Sequence, residues 1–398
     1  MDANVRIKNI GLRGVTVADT KISYIDGQKG ILIYRGFRIE ELVEKSSFME
    51  TAYLLLHGSL PAARDLQQFN DDMVTARRLP DFIHDSFKIW PKQADSMDVL
   101  QASVPLLAAI DPELSNETRA ANVRKAGRLL ARIPAAIAAW HRIRQDHEPL
   151  PPKPELPHAA NFLWQLSGRQ PDPEMVHDLD VSLILQAEHT FNASTFACRE
   201  VASTGAHMYA GVAAGVGALS GSLHGGANAR VMKLLLHLEE GGRSEQDMGA
   251  WVRQQIDSGQ KIMGMGHPVY KTFDPRAEIL KKIAKRLAAK TGYQNRYGML
   301  AKIEEEAVKE FQNRGKAGIK ANVDFYSGLV YSLMGIPLDL MTPLFVMALA
   351  TGWCAHIIEE KFAEAQGKPA LYRPRAEYVG NCNYCGPVGC VYQPMNKR

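Results

Sequence analysis

Apolar residues recur every three to four positions along most of this chain. Leu300, Ile303, Ala307, Val308 and Phe311 fall on one face of a predicted helix that ends before Gly315, a residue able to take a left-handed cap. Asp274-Pro275 opens another helix, with aspartate suited to the cap and proline to the first turn. Ile279, Leu280, Ile283 and Leu287 then follow on one side. A strand signal is confined to the N-terminal region, where Ile22–Ile25 and Ile31–Tyr34 flank Asp26-Gly27-Gln28-Lys29-Gly30 and predict a hairpin. Five prolines in the ten residues Glu148–Pro157 predict an extended connector between helices. The pattern is that of a mostly α protein.

Two stretches are apolar on every side. Leu344–Ile358 is interrupted by Thr351, Gly352 and His356 and falls short of the ~20 residues a bilayer requires. Val201–Ser222 is long enough, but it carries Ser203, Thr204 and His207 and is rich in alanine and glycine. Both read as buried helices rather than membrane spans. The spacing Gly211-x-x-x-Gly215 strips side-chain bulk from one helical face, which lets a second helix approach closely and suits a subunit interface.

Composition narrows the function. At 398 residues the chain can bury a full core, and its length suggests two domains, or one large domain carrying a smaller one. Its 47 basic and 43 acidic residues leave a net charge of +4 with no long basic run, which argues against nucleic-acid binding and remains compatible with a small anionic ligand. Met1-Asp2-Ala3-Asn4 does not lead into an apolar stretch, so the expected location is cytoplasmic. No Gly-x-x-x-x-Gly-Lys-Ser/Thr occurs, and Gly215-Val216-Gly217 lies inside an alanine-rich helical stretch instead of after a strand. No His-Glu-x-x-His pair points to zinc. Cys198 and Cys354 lie in apolar helical stretches and read as buried small residues.

Three distant segments each set one ionisable side chain among glycines: Leu223-His224-Gly225-Gly226, Gly264-Met265-Gly266-His267, and Asn322-Val323-Asp324 with Gly328 beyond it. Two imidazoles and one carboxylate are the parts needed to take a proton from carbon and hold the resulting enolate. Taken singly, each has a plainer reading. A histidine beside glycines is often a hydrogen-bonded turn residue, and Asn-x-Asp often caps a helix.

Together these segments resemble the citrate synthase family, which includes the 2-methylcitrate synthases. The resemblance also covers Ile22-Ser23-Tyr24-Ile25-Asp26-Gly27, Tyr34-Arg35-Gly36, Ala187-Glu188-His189-Thr190-Phe191-Asn192, Asp274-Pro275-Arg276 and Arg373-Pro374-Arg375. It implies an almost wholly helical fold: a large domain from residues 1–223 and 333–398, and a smaller inserted domain from residues 224–332. It further implies a homodimer. The implied activity is a Claisen-type condensation of acetyl-CoA or propionyl-CoA with a 2-oxo acid, foremost oxaloacetate, giving citrate or 2-methylcitrate. Coenzyme A thioester would be a co-substrate, with no permanently bound cofactor and no metal. Different-acceptor chemistry, citryl-CoA cleavage and a non-catalytic binding dimer stand as alternatives.

By the same resemblance Asp324 is the base, His224 holds the thioester oxygen, and His267 polarises the keto carbonyl of the acceptor. Arg276 and His189 bind the acceptor, Arg373 reaches across from the partner subunit, and Lys271, Lys316 and Lys320 face coenzyme A phosphates. His189 has a simpler alternative, satisfaction of a buried polar site near Asn192 and Ser194. One position departs from the family. Leu349 stands where an arginine usually clamps an acceptor carboxylate, so either another cation fills the gap or the acceptor is apolar there. Arg230 is the candidate cation, and a place on the outer face of its helix is the plainer reading. Cys382, Cys385 and Cys390 crowd a C-terminal tail that the family pattern lacks, and they read as free thiols near the dimer interface.

Overall fold

A computed structural model describes residues 11, 12, 14–376 and 394–397, so Cys382, Cys385 and Cys390 lie outside the described residues. The N-terminal hairpin forms as β1 (Ser23–Asp26) and β2 (Ile31–Tyr34), antiparallel, with Ser23 opposite Tyr34 and Asp26 opposite Ile31. A third strand, β3 (Phe37–Arg38), extends it in the order β1-β2-β3. At two residues it is too short to show a period in sequence.

Helices make up most of the rest. The N-terminal half contributes α1 (Ile39–Lys45), α2 (Phe48–His57), α3 (Ala63–Ala76), α4 (Asp81–Lys88), α5 (Ser96–Ala108) and α6 (Arg119–Ile143). After the proline-rich connector come α7 (His158–Ser167), α8 (Pro173–Gln186), α9 (Ala193–Ser203) and α10 (Met208–Ser220). The chain continues through α11 (Ala227–Glu240), α12 (Met248–Asp257), α13 (Pro275–Thr291), α14 (Gln294–Asn313), α15 (Val323–Leu333) and α16 (Met341–Lys361). Asp274 caps α13 as its sequence predicts, its Oδ1 accepting the Arg276 N–H at 3.1 Å.

The core is built around α16. This helix and the short turn before it, Leu338–Lys361, are long and apolar enough to cross a membrane, yet nearly every residue is buried among other helices. A helix that is hydrophobic all round is stable in just such a setting. It packs against α2, α6, α8, α9 and α10.

Two expectations change. The Val201–Ser222 stretch is not one helix, because it turns at Thr204-Gly205-Ala206 before His207 caps α10, the His207 Nδ1 accepting from the Ala210 N–H at 3.2 Å. The Gly211/Gly215 face looks inward. A Cβ on Gly211 would come within 2.8 Å of Ile357, and one on Gly215 within 2.5 Å of Cys198 and 3.0 Å of Trp353. The missing bulk therefore lets α10 settle on α9 and α16 of the same chain, which removes that face from any contact between subunits.

Candidate active site

His267 lies in a loop stitched to the segment before Asp324. Met265 and Ala321 form an antiparallel bridge, and the Gly266 N–H donates to the Lys320 carbonyl at 2.7 Å. The Asn322 N–H donates to the Gly264 carbonyl at 2.9 Å, and its side-chain amide donates to the Gly266 carbonyl at 2.8 Å. Asn322 also caps α15, its Oδ1 accepting from the Asp324 N–H at 2.9 Å. The β1–β2 turn holds the other side of the loop, where the Lys271 N–H donates to the Gly27 carbonyl at 2.8 Å.

The His267 ring is oriented by its own turn. Nδ1 accepts from the N–H groups of Val269 at 3.0 Å and Tyr270 at 3.3 Å. A ring nitrogen that accepts carries no proton, so the neutral imidazole bears its hydrogen on Nε2. Burial, helped by the Arg276 charge, pushes the ring down to about 4. At neutral pH it is an uncharged N–H donor.

Arg276 sits at the centre, only 2% exposed. Its Nε donates to Asp274 Oδ1 at 2.9 Å and its Nη2 to Oδ2 at 2.8 Å, a forked ion pair. Asp274 Oδ2 also accepts the Val323 N–H at 3.0 Å, joining the start of α13 to the start of α15. Asp324 occupies the first turn of α15, where the helix dipole and the Arg276 charge favour its ionised form. Burial outweighs both and pushes the carboxyl up to about 6. The carboxylate accepts no hydrogen bond from the described residues, so its lone pairs are free to take a proton.

His224 is held differently. The Ser194 N–H donates to His224 Nε2 at 3.1 Å, and the Ser194 hydroxyl lies 2.8 Å from the same nitrogen. The proton must then sit on Nδ1. Ser194 is itself fixed: Trp353 Nε1–H donates to its Oγ at 3.2 Å, and its hydroxyl is 2.7 Å from Asn192 Oδ1, the cap of α9. Burial lowers the His224 imidazole, which keeps it neutral. Gly226 follows with φ +72°, a left-handed turn that starts α11 two residues after the histidine.

His189 packs edge-on to His267, with ring centroids 5.1 Å apart, and its Nε2 lies 3.3 Å from the Tyr270 hydroxyl. Burial and the Arg276 charge hold it well below the usual histidine range. It does not satisfy the Asn192–Ser194 site, because Ser194 serves His224. Thr190, next in the chain, has φ +51°, a strained backbone for a β-branched residue. Behind it Glu188 is fully buried, its Oε1 2.8 Å from the Ser23 hydroxyl and 3.0 Å from His356 Nε2. His356 Nδ1 in turn faces Arg199 at 3.0 Å, and Arg199 pairs with Glu359 and Glu360.

The remaining candidates divide. Lys320, His267, Tyr270 and Asp274 line one small cleft. Lys271 is exposed, with Nζ donating to the Pro268 carbonyl at 2.8 Å, and the Gly318 backbone packs against its carbonyl. Lys316 is exposed on the same turn. Arg373 is exposed and does not join the cluster, although its neighbour Tyr372 is anchored to α16 by a hydroxyl donating to Glu360 at 2.8 Å. Leu349 is 1% exposed. Arg230 is not on an outer face, for its Nε is buried without a hydrogen-bond partner. A separate cavity of about 530 Å³ lies between α2, α3 and α6 and is lined by none of the candidate residues. Among the described residues, no group of three or more His, Cys, Asp or Glu side chains is placed to hold a metal ion.

Around the buried Arg276 lie the neutral His267 donor and the raised Asp324 carboxyl, while His224, a second neutral imidazole, is held separately by Ser194; groups of these kinds suit chemistry on carbon acids and carbonyl oxygens. Comparison with known proteins makes the class specific. The family model described as "Citrate synthase, C-terminal domain" matches residues 11–375. A citrate synthase from Synechocystis sp. is 44% identical, covering 98% of this chain and 93% of its own length. A "Citrate/2-methylcitrate synthase" of Bacillus subtilis is 36% identical, covering 93% of this chain and 96% of its own length. Among solved structures, citrate synthase of Thermoplasma acidophilum, in a ternary complex with carboxymethyl coenzyme A and oxaloacetate, superposes with a TM-score of 0.88. It is 32% identical and covers 98% of both chains. This chain belongs to the citrate synthase family and is an enzyme of the citrate synthase type.

Proposed function

We propose that this enzyme condenses acetyl-CoA with oxaloacetate, consuming water and releasing citrate and coenzyme A. Asp324 removes a proton from the acyl methyl group while the His224 Nδ1–H donates to the thioester oxygen, where negative charge develops. The carbanion equivalent attacks the keto carbon of the acceptor. The His267 Nε2–H donates to the keto oxygen as it gains charge, and the proton that makes it a hydroxyl passes through this nitrogen, the ring recovering one from water. Water then cleaves the thioester. Both donors are neutral, so neither must lose charge as the oxygens gain it.

In this reading Arg276, through the Nη1 that Asp274 leaves free, and His189 hold the acceptor. Lys271, Lys316 and Lys320 face the coenzyme A phosphates, and Arg373 completes the site of a partner subunit. Residues 224–332 act as a smaller domain against 1–223 and 333–398, with the substrates at their border. The observation that carries the proposal is the Asp324 carboxyl, free of hydrogen-bond partners among the described residues and raised to about 6, at a helix start stitched to the loop that holds His267. The test is thiol release by the purified protein. Acetyl-CoA with oxaloacetate should turn over fastest in a panel that includes propionyl-CoA, pyruvate and longer 2-oxo acids. Absence of turnover with every pair, in folded dimeric protein, sinks the proposal.

A further inference from the structure

Position 349 poses the question of what holds the second acceptor carboxylate. Leu349 is 1% exposed within α16, so it meets protein on all sides and offers a ligand no apolar slot. The gap calls for a cation from another element. Arg230, in the first turn of α11, bends back over the start of its helix. Its Nη1 lies 3.5 Å from where a Cβ on Gly226 would stand, and Thr342 Oγ1 lies 3.6 Å from the same point. Gly226 is two residues from His224, and Thr342 is on the same helix as Leu349, two turns or ~10 Å before it.

Arg230 is also without a partner. Its Nε is buried and makes no hydrogen bond, and among the described residues it forms no ion pair. A buried guanidinium edge left unsatisfied costs free energy unless a ligand supplies the acceptor. Its positive charge favours the ionised form of Asp324, so the two side chains lie within reach of one another's field. Asp274 already neutralises Arg276. A dicarboxylate therefore needs a donor that is not already tied up.

We propose that Arg230 binds one carboxylate of a dicarboxylic 2-oxo acid acceptor, doing the work that position 349 has lost. The inference rests on the condensing activity proposed above. It is tested in the full-length protein with oxaloacetate as the probe. Arg230→Ala should raise the oxaloacetate KM about ten- to a hundredfold, the span expected for one charge-assisted contact, with the acetyl-CoA KM within twofold of the parent. Arg230→Lys should recover part of the loss, and Arg230→Ala combined with Leu349→Arg should recover more. An unchanged oxaloacetate KM, or a rise confined to acetyl-CoA, overturns it. Calorimetric titration with oxaloacetate separates this outcome from failure of the activity itself. Weaker binding to the folded Arg230→Ala variant supports the assignment even without turnover, and equal binding removes it.

Discussion

His224 and His267 are both neutral donors, but the fold fixes them by opposite means. His267 is set by its own turn, through backbone N–H groups two and three residues ahead, and shows its Nε2–H to the cleft. His224 is set from 30 residues away, by the backbone and hydroxyl of Ser194, and shows its Nδ1–H. A locally held ring tolerates changes elsewhere in the molecule. A ring held across the fold inherits the fate of its remote support, here α9 and the Trp353 indole of α16.

The largest effect should come from Asp324, the proposed base. Asp324→Asn should lower kcat by about 10²–10⁴-fold and abolish exchange of acetyl-CoA methyl hydrogens with deuterated water, followed by NMR. His224→Gln and His267→Gln should each cost about 10²–10³-fold in kcat, measured by thiol release. Methyl exchange distinguishes them: it should fall with His224→Gln and survive with His267→Gln. A smaller change tests how His224 is held. Ser194→Ala keeps the N–H that fixes the tautomer, so its loss should stay below about tenfold; a loss equal to that of His224→Gln would mean the hydroxyl is the true support.

The pH dependence should follow the carboxyl. Asp324 must be ionised to act, so kcat/KM should fall as pH drops through about 6. For stability the sign reverses. A carboxyl raised from 3.8 to about 6 by burial favours the folded state when protonated, and this contribution is lost as pH rises through about 6. Asp324→Asn should therefore melt higher than the parent at pH 8, with the difference shrinking as pH falls toward 4. A lower melting point at pH 8 would show that the ionised carboxylate is well solvated in the fold.

Local patterns were readable in the sequence, and contacts across the chain were not. The hairpin, the Asp274 cap and the helix ending before Gly315 depend on near neighbours, so residue type and spacing suffice. The division between α9 and α10 was hidden because alanine and glycine give that run no apolar period to interrupt. The Gly211/Gly215 face reads as a packing surface but carries no record of which helix it meets. Arg230 was misplaced for another reason. Its Cα lies away from Asn228 and Met232, which are buried, but helical side chains lean toward the N-terminus and a long one reaches back to Gly226 from there. Ser194, Tyr270 and Trp353 carried no readable role, since the partners that give them one, His224 for Ser194, His189 for Tyr270 and Ser194 for Trp353, lie far along the chain.

Asp274 is bonded to the Arg276 backbone, to two guanidinium nitrogens and to the Val323 N–H. One carboxylate thus rivets the arginine proposed to hold the acceptor and the aspartate proposed to remove the proton to a common mount. If the cleft opens to release product, these two groups must swing as a single jaw.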